Sequence, residues 1–199
     1  MVQADIRWQR PAGLYNVGEV PVATLFNEYF GGGMGSVVFQ TIRESKALAY
    51  STYSSFVMPA EKEKTAQVIA FVGTQADKLH EAIGSMQELL DRLPANDGQF
   101  ELARQSVRKS IESERITETR LLFSYDALNR LGLGQDIRKD VYAQAARLQL
   151  ADIQAFHQAQ FSRKPYNISI VGSRERIKAG DLAKYGKVQE VPLEQLFGY

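Results

Sequence analysis

A glycine cluster between two helix patterns constrains the fold of this chain more than any other stretch. The cluster reads Gly-Gly-Gly-Met-Gly over residues 31–35 and contains Gly31, Gly32, Gly33 and Gly35. Before it, apolar residues recur at spacings of three and four, which places their side chains on one face of a helix. We expect the glycines to end this helix in the left-handed conformation and to let another backbone come close. The apolar residues are Val22, Leu25, Phe26, Tyr29 and Phe30.

A second helix, a corner and a strand follow the glycines directly. Ser36 is predicted to cap this helix at its N-terminus, and Ile42 belongs to its buried side. Arg43 lies in the last turn, where the helix dipole favours a cation. A charged corner over residues 44–48 then leads to Tyr50, which opens a strand. The strand is rich in serine, threonine and tyrosine, and one of its faces is expected to look into a polar cavity.

The run from Thr24 to Phe56 resembles a known family signature. It is similar to the non-catalytic, C-terminal domain of the insulinase/pitrilysin zinc metallopeptidases, the family that also contains the mitochondrial processing peptidases. The similar features are the glycine cluster, a helix ending in Arg-Glu, and Leu-Ala-Tyr at the start of a strand. In that family the arginine and tyrosine hold the substrate backbone near the scissile carbonyl. The resemblance therefore implies substrate binding by Arg43 and Tyr50.

Each of these features also has a plainer interpretation. The glycine cluster is explained by a tight connection between packed helices, or, with the resemblance, by a loop in which Gly31, Gly32, Gly33 and Gly35 contact a peptide. It lacks the Gly-Lys-Ser/Thr of a P-loop, which argues against phosphate binding. Arg43 could simply pair with a carboxylate such as Glu44, and Tyr50 could pack at a sheet edge.

No zinc site is predicted within this chain. A hydrolytic zinc site needs about three protein ligands and a carboxylate that handles the water. The family's His-x-x-Glu-His motif is absent, and His80 and His157 lie far apart in sequence. We expect both histidines to be surface or partly buried helix residues. The chain is expected to bind no metal or cofactor and to be inactive alone, with zinc held by a partner catalytic domain.

The order of predicted elements indicates an α+β fold. One strand, two helices, a hairpin of two strands, several helices and a final strand favour a mostly antiparallel sheet with helices packed on one face. The predicted strands cover residues 2–9, 49–57, 66–72 and 166–171. The predicted later helices cover residues 76–93, 96–115, 117–131, 143–146 and 150–161.

Composition excludes several classes of function. Lysine and arginine total 24 against 23 aspartates and glutamates, so neither nucleic acid nor a membrane surface is an expected partner. The absence of cysteine excludes disulfides and thiolate metal sites but leaves both periplasm and cytoplasm possible. With 199 residues and no break in composition, we expect one soluble domain over residues 1–199, excised from a larger chain.

Two hypotheses about function follow. In the first, the chain is the non-catalytic domain of a zinc metalloendopeptidase, forms one wall of the substrate chamber and binds peptide backbone near the scissile bond. In the second, it is a catalytically silent, core-protein-like subunit that serves substrate binding or assembly with a separate zinc subunit. The expected partners are a zinc-bearing N-terminal domain or subunit and a peptide substrate, and a homodimer is possible.

Overall fold

The sheet is antiparallel throughout. The structure, a computed structural model, describes residues 2–198. Within that range, four strands form one sheet in the order β2-β3-β1-β4, so the first strand lies in the middle. The hairpin predicted from the sequence is confirmed, since β2 and β3 pair with Ser51 opposite Gly73. The strands are β1 (Gln3–Leu14), β2 (Ser51–Val57), β3 (Thr65–Gln75) and β4 (Asn167–Val171).

Helices cover one face of this sheet, as the sequence predicts, and the α+β fold is confirmed. In β1 the side chains of Ala4, Ile6 and Trp8 are fully buried, whereas Gln3, Arg7 and Gln9 on the other face are exposed. This alternation is typical of a sheet with one covered face. The α-helices are α1 (Val20–Phe30), α2 (Leu79–Asp91), α3 (Asp97–Ser113), α4 (Glu118–Arg130), α5 (Arg138–Ala145), α6 (Leu150–Gln160), α7 (Ala179–Leu182) and α8 (Leu193–Phe197).

Shorter helical segments join these elements. A π-helix covers Phe39–Ser45, between α1 and β2. Short 3-10 helices cover Val17–Glu19, Ala76–Lys78 and Ala183–Tyr185. Among residues 2–198, none of the helices combines the length and the apolar character that a membrane span requires.

The first strand runs five residues further than predicted. The sequence predicts a strand over residues 2–9 and a loop at Pro11, but β1 continues to Leu14 with a register irregularity after Pro11. The pairing of β4 with β1 stops at Gln9. Beyond that point one side of β1 is a sheet edge, where a proline costs no ladder hydrogen bond.

The helix α1 lies at the centre of the core. It contacts β2, α3, α5 and α6, and its buried side chains include Leu25, Phe26 and Phe30. The centre of the Phe26 ring lies 4.8 Å from the centre of the Phe161 ring and 5.1 Å from that of the Phe156 ring. The apolar spacing in the sequence therefore predicted both this helix and its buried face.

Candidate functional site

Arg43 lies on the π-helix, at the edge of the region that joins α1 to β2. The wider turn is visible in the hydrogen bond from the Lys46 amide to the Thr41 carbonyl oxygen (3.2 Å), five residues back. The guanidinium lies 4.9 Å from the centre of the Phe39 ring, and its Nε is 3.8 Å from the Glu44 carboxylate. The side chain is 46% exposed, so its remaining donors face solvent. The sequence predicts a helix here, but not the π geometry that is often found at functional sites.

The corner between the π-helix and β2 is held by hydrogen bonds from β3 and from the turn that follows β3. Ala47 has a left-handed backbone with φ of 48°, which costs an L-residue about 1–2 kcal/mol. Its carbonyl oxygen accepts a hydrogen bond from Lys78 Nζ at 3.2 Å. The buried hydroxyl of Thr74 donates to the carbonyl oxygen of Leu48. These contacts come from the end of β3 and the turn that follows it, and they hold the strained corner in place.

Tyr50 stands at the open end of this corner. Its amide donates to the Gly73 carbonyl oxygen at 2.8 Å, which ties its backbone to β3. Its hydroxyl oxygen accepts a hydrogen bond from Gln75 Nε2 at 2.7 Å, and the side chain is 57% exposed. Within residues 2–198, Arg43 and Tyr50 make no direct hydrogen bond to each other. They are two exposed donors at the two ends of one rigid corner.

Close packing, rather than a left-handed turn, requires the glycine at the end of α1. Gly31 has a φ of −143°, so the expected left-handed conformation is wrong. A Cβ on Gly31 would lie 2.2 Å from the carbonyl oxygen of Ser54, and one on Gly32 would lie 2.8 Å from that of Asn27. The close approach of another backbone, which the sequence predicts, is thus made by β2. Gly33 and Gly35 have room for a Cβ, so packing within the domain does not require glycine at either position.

The inward hydroxyls of β2 lie in the core and do not line a polar cavity. The inward side chains of Thr52 and Ser54 are buried, and their hydroxyls donate to the carbonyl oxygens of Phe71 and Ile69 at 3.0 and 3.2 Å. Hydroxyls can occupy the core side of a strand when a backbone acceptor is in reach. The inward face of β2 therefore lines no polar cavity, whereas Ser51 and Tyr53 on the outward face are exposed.

The histidines have structural partners. His80 Nδ1 lies 2.9 Å from the Tyr185 hydroxyl. His157 is fully buried, contrary to expectation, with Nε2 2.9 Å from the Leu89 carbonyl oxygen, and burial lowers its pKa. Within residues 2–198 there is no group of three or more histidine, cysteine, aspartate or glutamate side chains that could hold a metal ion. The residues present therefore do not fit a zinc ion.

Three residues that support the corner were missed in the sequence. Thr74, Gln75 and Lys78 follow the apolar run of β3 and look like an ordinary polar strand end. A threonine that interrupts an apolar strand is one signal that could have drawn attention to Thr74. Nothing local links these residues to the corner, because 26 residues separate Thr74 from Leu48.

Comparison with known proteins identifies the family. The family model described as Peptidase M16 inactive domain matches residues 5–107, just over half of the chain. The chain belongs to this family. The insulinase-type resemblance seen in the sequence is thereby confirmed, and the chain is a non-catalytic M16 C-terminal domain of the zinc protease family. The matched residues include the glycine cluster, the π-helix, the corner and the hairpin.

The M16 inactive domain has relatives in sequence and in structure. The uncharacterized zinc protease YmxG of Bacillus subtilis is 36% identical over 69 residues, which are 35% of this chain and 16% of that protein. An M16 inactive domain from Pseudomonas fluorescens superposes with a TM-score of 0.70 at 16% identity, over 84% of this chain and 40% of that one. An inactive peptidase domain from Bordetella parapertussis superposes with a TM-score of 0.69 at 11% identity, over 85% of this chain and 92% of that one. The chain thus spans well under half of YmxG and of the Pseudomonas protein.

Proposed function

We propose that this M16 inactive domain, as one domain of a larger zinc metalloendopeptidase, forms one wall of the substrate chamber. Arg43 and Tyr50 would bind the backbone of an extended peptide next to the scissile bond. A zinc-bearing N-terminal domain or subunit would complete the site, and its zinc would activate the attacking water. The single observation that carries this proposal is the pair of exposed donors on one corner that is fixed from β3.

The chemistry of the two side chains suits this role. A guanidinium is permanently charged and offers five N–H donors, and a phenol offers one O–H donor. Both groups can therefore donate to a peptide carbonyl oxygen and to the oxyanion that develops on it. Donors contribute most when they are positioned before the reaction, because no free energy is then spent on reorienting them. The contacts from β3 and the turn after it hold the backbone from Ala47 to Tyr50, and Arg43 precedes this corner on the π-helix.

Part of the glycine cluster is also open to a peptide backbone. Gly33 and Gly35 have space above their α-carbons, and the intervening Met34 side chain is exposed. These residues could approach a peptide backbone, whereas Gly31 and Gly32 are required for packing within the domain. The alternative function, a silent partner subunit in an assembly, would use the same surface without a role in turnover.

Turnover by the complete peptidase tests the proposal. Arg43→Ala and Tyr50→Phe are each expected to lower kcat on the order of a hundredfold, as loss of an oxyanion donor does in other hydrolases. Tyr53→Phe is the matched control, because Tyr53 is an exposed tyrosine three residues later, on β2, and its ring stacks on Phe71. A change of less than about threefold for both site variants would contradict the proposal. Weaker peptide binding without any effect on kcat would favour the silent-partner alternative, in which this surface serves substrate binding alone.

A further inference from the structure

We propose that Gln75 is a positioning residue that sets the direction of the Tyr50 phenolic proton. The inference rests on the proposed function, in which Tyr50 donates to the substrate. Gln75 ends β3, and its Nε2 lies 2.7 Å from the Tyr50 hydroxyl oxygen. No other side chain within residues 2–198 makes a hydrogen bond to that hydroxyl.

The direction of this hydrogen bond decides what Tyr50 can do. A phenol oxygen can accept hydrogen bonds and has one proton to donate. Because the Gln75 amide donates to the oxygen, it uses the accepting side and leaves the proton free. Tyr50 is thereby left as a donor toward solvent, where a peptide carbonyl oxygen would lie. A hydrogen bond accepted by the oxygen also polarises the O–H group and strengthens the bond that it donates.

The end of β3 provides the rigid frame that this role needs. Three consecutive residues each hold one point of the corner. Gly73 accepts from the Tyr50 amide, Thr74 donates to the Leu48 carbonyl oxygen, and Gln75 donates to the Tyr50 hydroxyl. The first two contacts fix the backbone, and only the contact from Gln75 acts on the functional atom. Gln75 therefore differs from its neighbours in controlling chemistry rather than shape.

The Tyr50 site would accordingly favour a ligand group that accepts a hydrogen bond. Peptide carbonyl oxygens and the tetrahedral oxyanion belong to this class, and the oxyanion accepts more strongly because it is charged. A group that can only donate would meet the free phenolic proton and be disfavoured. The Gln75–Tyr50 pair would thus distinguish the reacting carbonyl from neighbouring amide N–H groups of the peptide.

Gln75→Glu tests the inference, because glutamate has the same shape but can only accept when ionised. The carboxylate would take the phenolic proton into its own hydrogen bond and leave Tyr50 without a donor for the substrate. We expect kcat of the complete peptidase to fall on the order of a hundredfold, as for Tyr50→Phe, with a smaller change in KM. The double variant Tyr50→Phe with Gln75→Glu is expected to be no slower than Tyr50→Phe alone.

Gln67→Glu is the matched control. Gln67 lies on the same side of β3, eight residues earlier, and the variant adds the same charge away from Tyr50. It is expected to change kcat by less than about threefold. Thermal melting of each variant separates loss of folding from loss of positioning.

The possible results distinguish the inference from the function on which it rests. If Tyr50→Phe lowers kcat but Gln75→Glu does not, the role of Gln75 is overturned and the proposed function stands. If Gln75→Glu slows the Tyr50→Phe enzyme further, the added charge acts by another route and the inference is again overturned. If neither Tyr50→Phe nor Arg43→Ala affects turnover, the proposed function itself fails.

Discussion

The helices α1 and α4 have similar apolar patterns but opposite environments. α1 buries Leu25, Phe26, Tyr29 and Phe30 among its neighbours, whereas none of the residues in α4 is buried. In α4, Leu122 is 73% exposed. The difference shows that apolar spacing predicts a helix but not whether anything covers its apolar side.

The surroundings of the two helices explain this difference. α1 is enclosed by β2 and by three helices. α4 is held mainly at its ends, by a hydrogen bond from the Lys62 amide to the Arg130 carbonyl oxygen (3.2 Å) and by an ion pair of Arg120 with Glu114 (3.2 Å). The sequence predicts a helix over residues 117–131, and the helix itself is present.

Truncation of one leucine in each helix should give the largest contrast. Leu25→Ala is expected to lower the free energy of unfolding by about 2–5 kcal/mol, because it leaves a cavity in a close-packed core. Leu122→Ala is expected to change it by less than about 0.5 kcal/mol, since its side chain is already largely hydrated. Urea unfolding of the isolated domain measures both values. Equal losses would show that α4 belongs to the cooperative core.

The two helices also end at glycines that are needed for different reasons. Gly31→Ala is expected to cost about 3 kcal/mol, because its Cβ would lie 2.2 Å from the Ser54 carbonyl oxygen. Gly132 follows α4 with a φ of 68°, but a Cβ there would meet only Lys62, at 3.6 Å. Gly132→Ala should therefore cost only the left-handed backbone, about 1–2 kcal/mol.

Urea unfolding also measures the stability of the glycine variants. Gly35→Ala is their control. A Cβ on Gly35 would have no neighbour within 4 Å, and its φ is not in the left-handed region. We expect a change of less than about 0.5 kcal/mol. A Gly31→Ala protein as stable as Gly35→Ala would show that α1 and β2 can move apart, and would remove the reason given for the glycine.

The smallest expected effect is on the pH dependence of the free energy of unfolding, through a histidine that packs against α1. The centre of the His157 ring lies 5.4 Å from the centre of the Phe30 ring. Burial lowers the pKa of His157, although the hydrogen bond with the Leu89 carbonyl oxygen and the charge of Asp91 act in the opposite direction. The unfolded chain therefore binds the proton more readily, with an imidazole pKa of about 6.5. The stability due to neutral His157 is present above that pH and is lost as the pH falls toward the lower pKa of the folded state.

His157→Gln should remove this component of the pH dependence. The free energy of unfolding, measured by urea between about pH 7.5 and pH 5, should fall less in the variant than in the wild type. His80→Gln is the control, since His80 is only partly buried beside Tyr185. Parallel curves for wild type and His157→Gln would contradict the prediction.

Local chemistry explains which features the sequence predicted correctly. Asn96 caps α3, since its side chain accepts a hydrogen bond from the Gln99 amide at 3.0 Å, and asparagine is a preferred N-cap residue. The apolar alternation and runs predicted the four strands and their hairpin. Each of these signals lies within a few residues, which is why one sequence suffices to find it.

The candidate site was predictable only in part. Arg43 and Tyr50 were chosen from a family motif, and both are exposed as that role requires. The π geometry, the strained Ala47 and the contacts from β3 were not predictable. These depend on residues that are distant in sequence and become neighbours only when β2 and β3 pair.

Periodicity and capping act between near neighbours in the chain, so the sequence alone specified the helices α1, α2, α3, α4 and α6, the four strands and the α+β class. Contacts between distant segments place β1 inside the sheet, enclose α1 while α4 stays open, and make Gly31 necessary for space. They also bring Gln75 to Tyr50. Burial and long-range hydrogen bonds depend on which surfaces meet, and that information is spread over the whole chain.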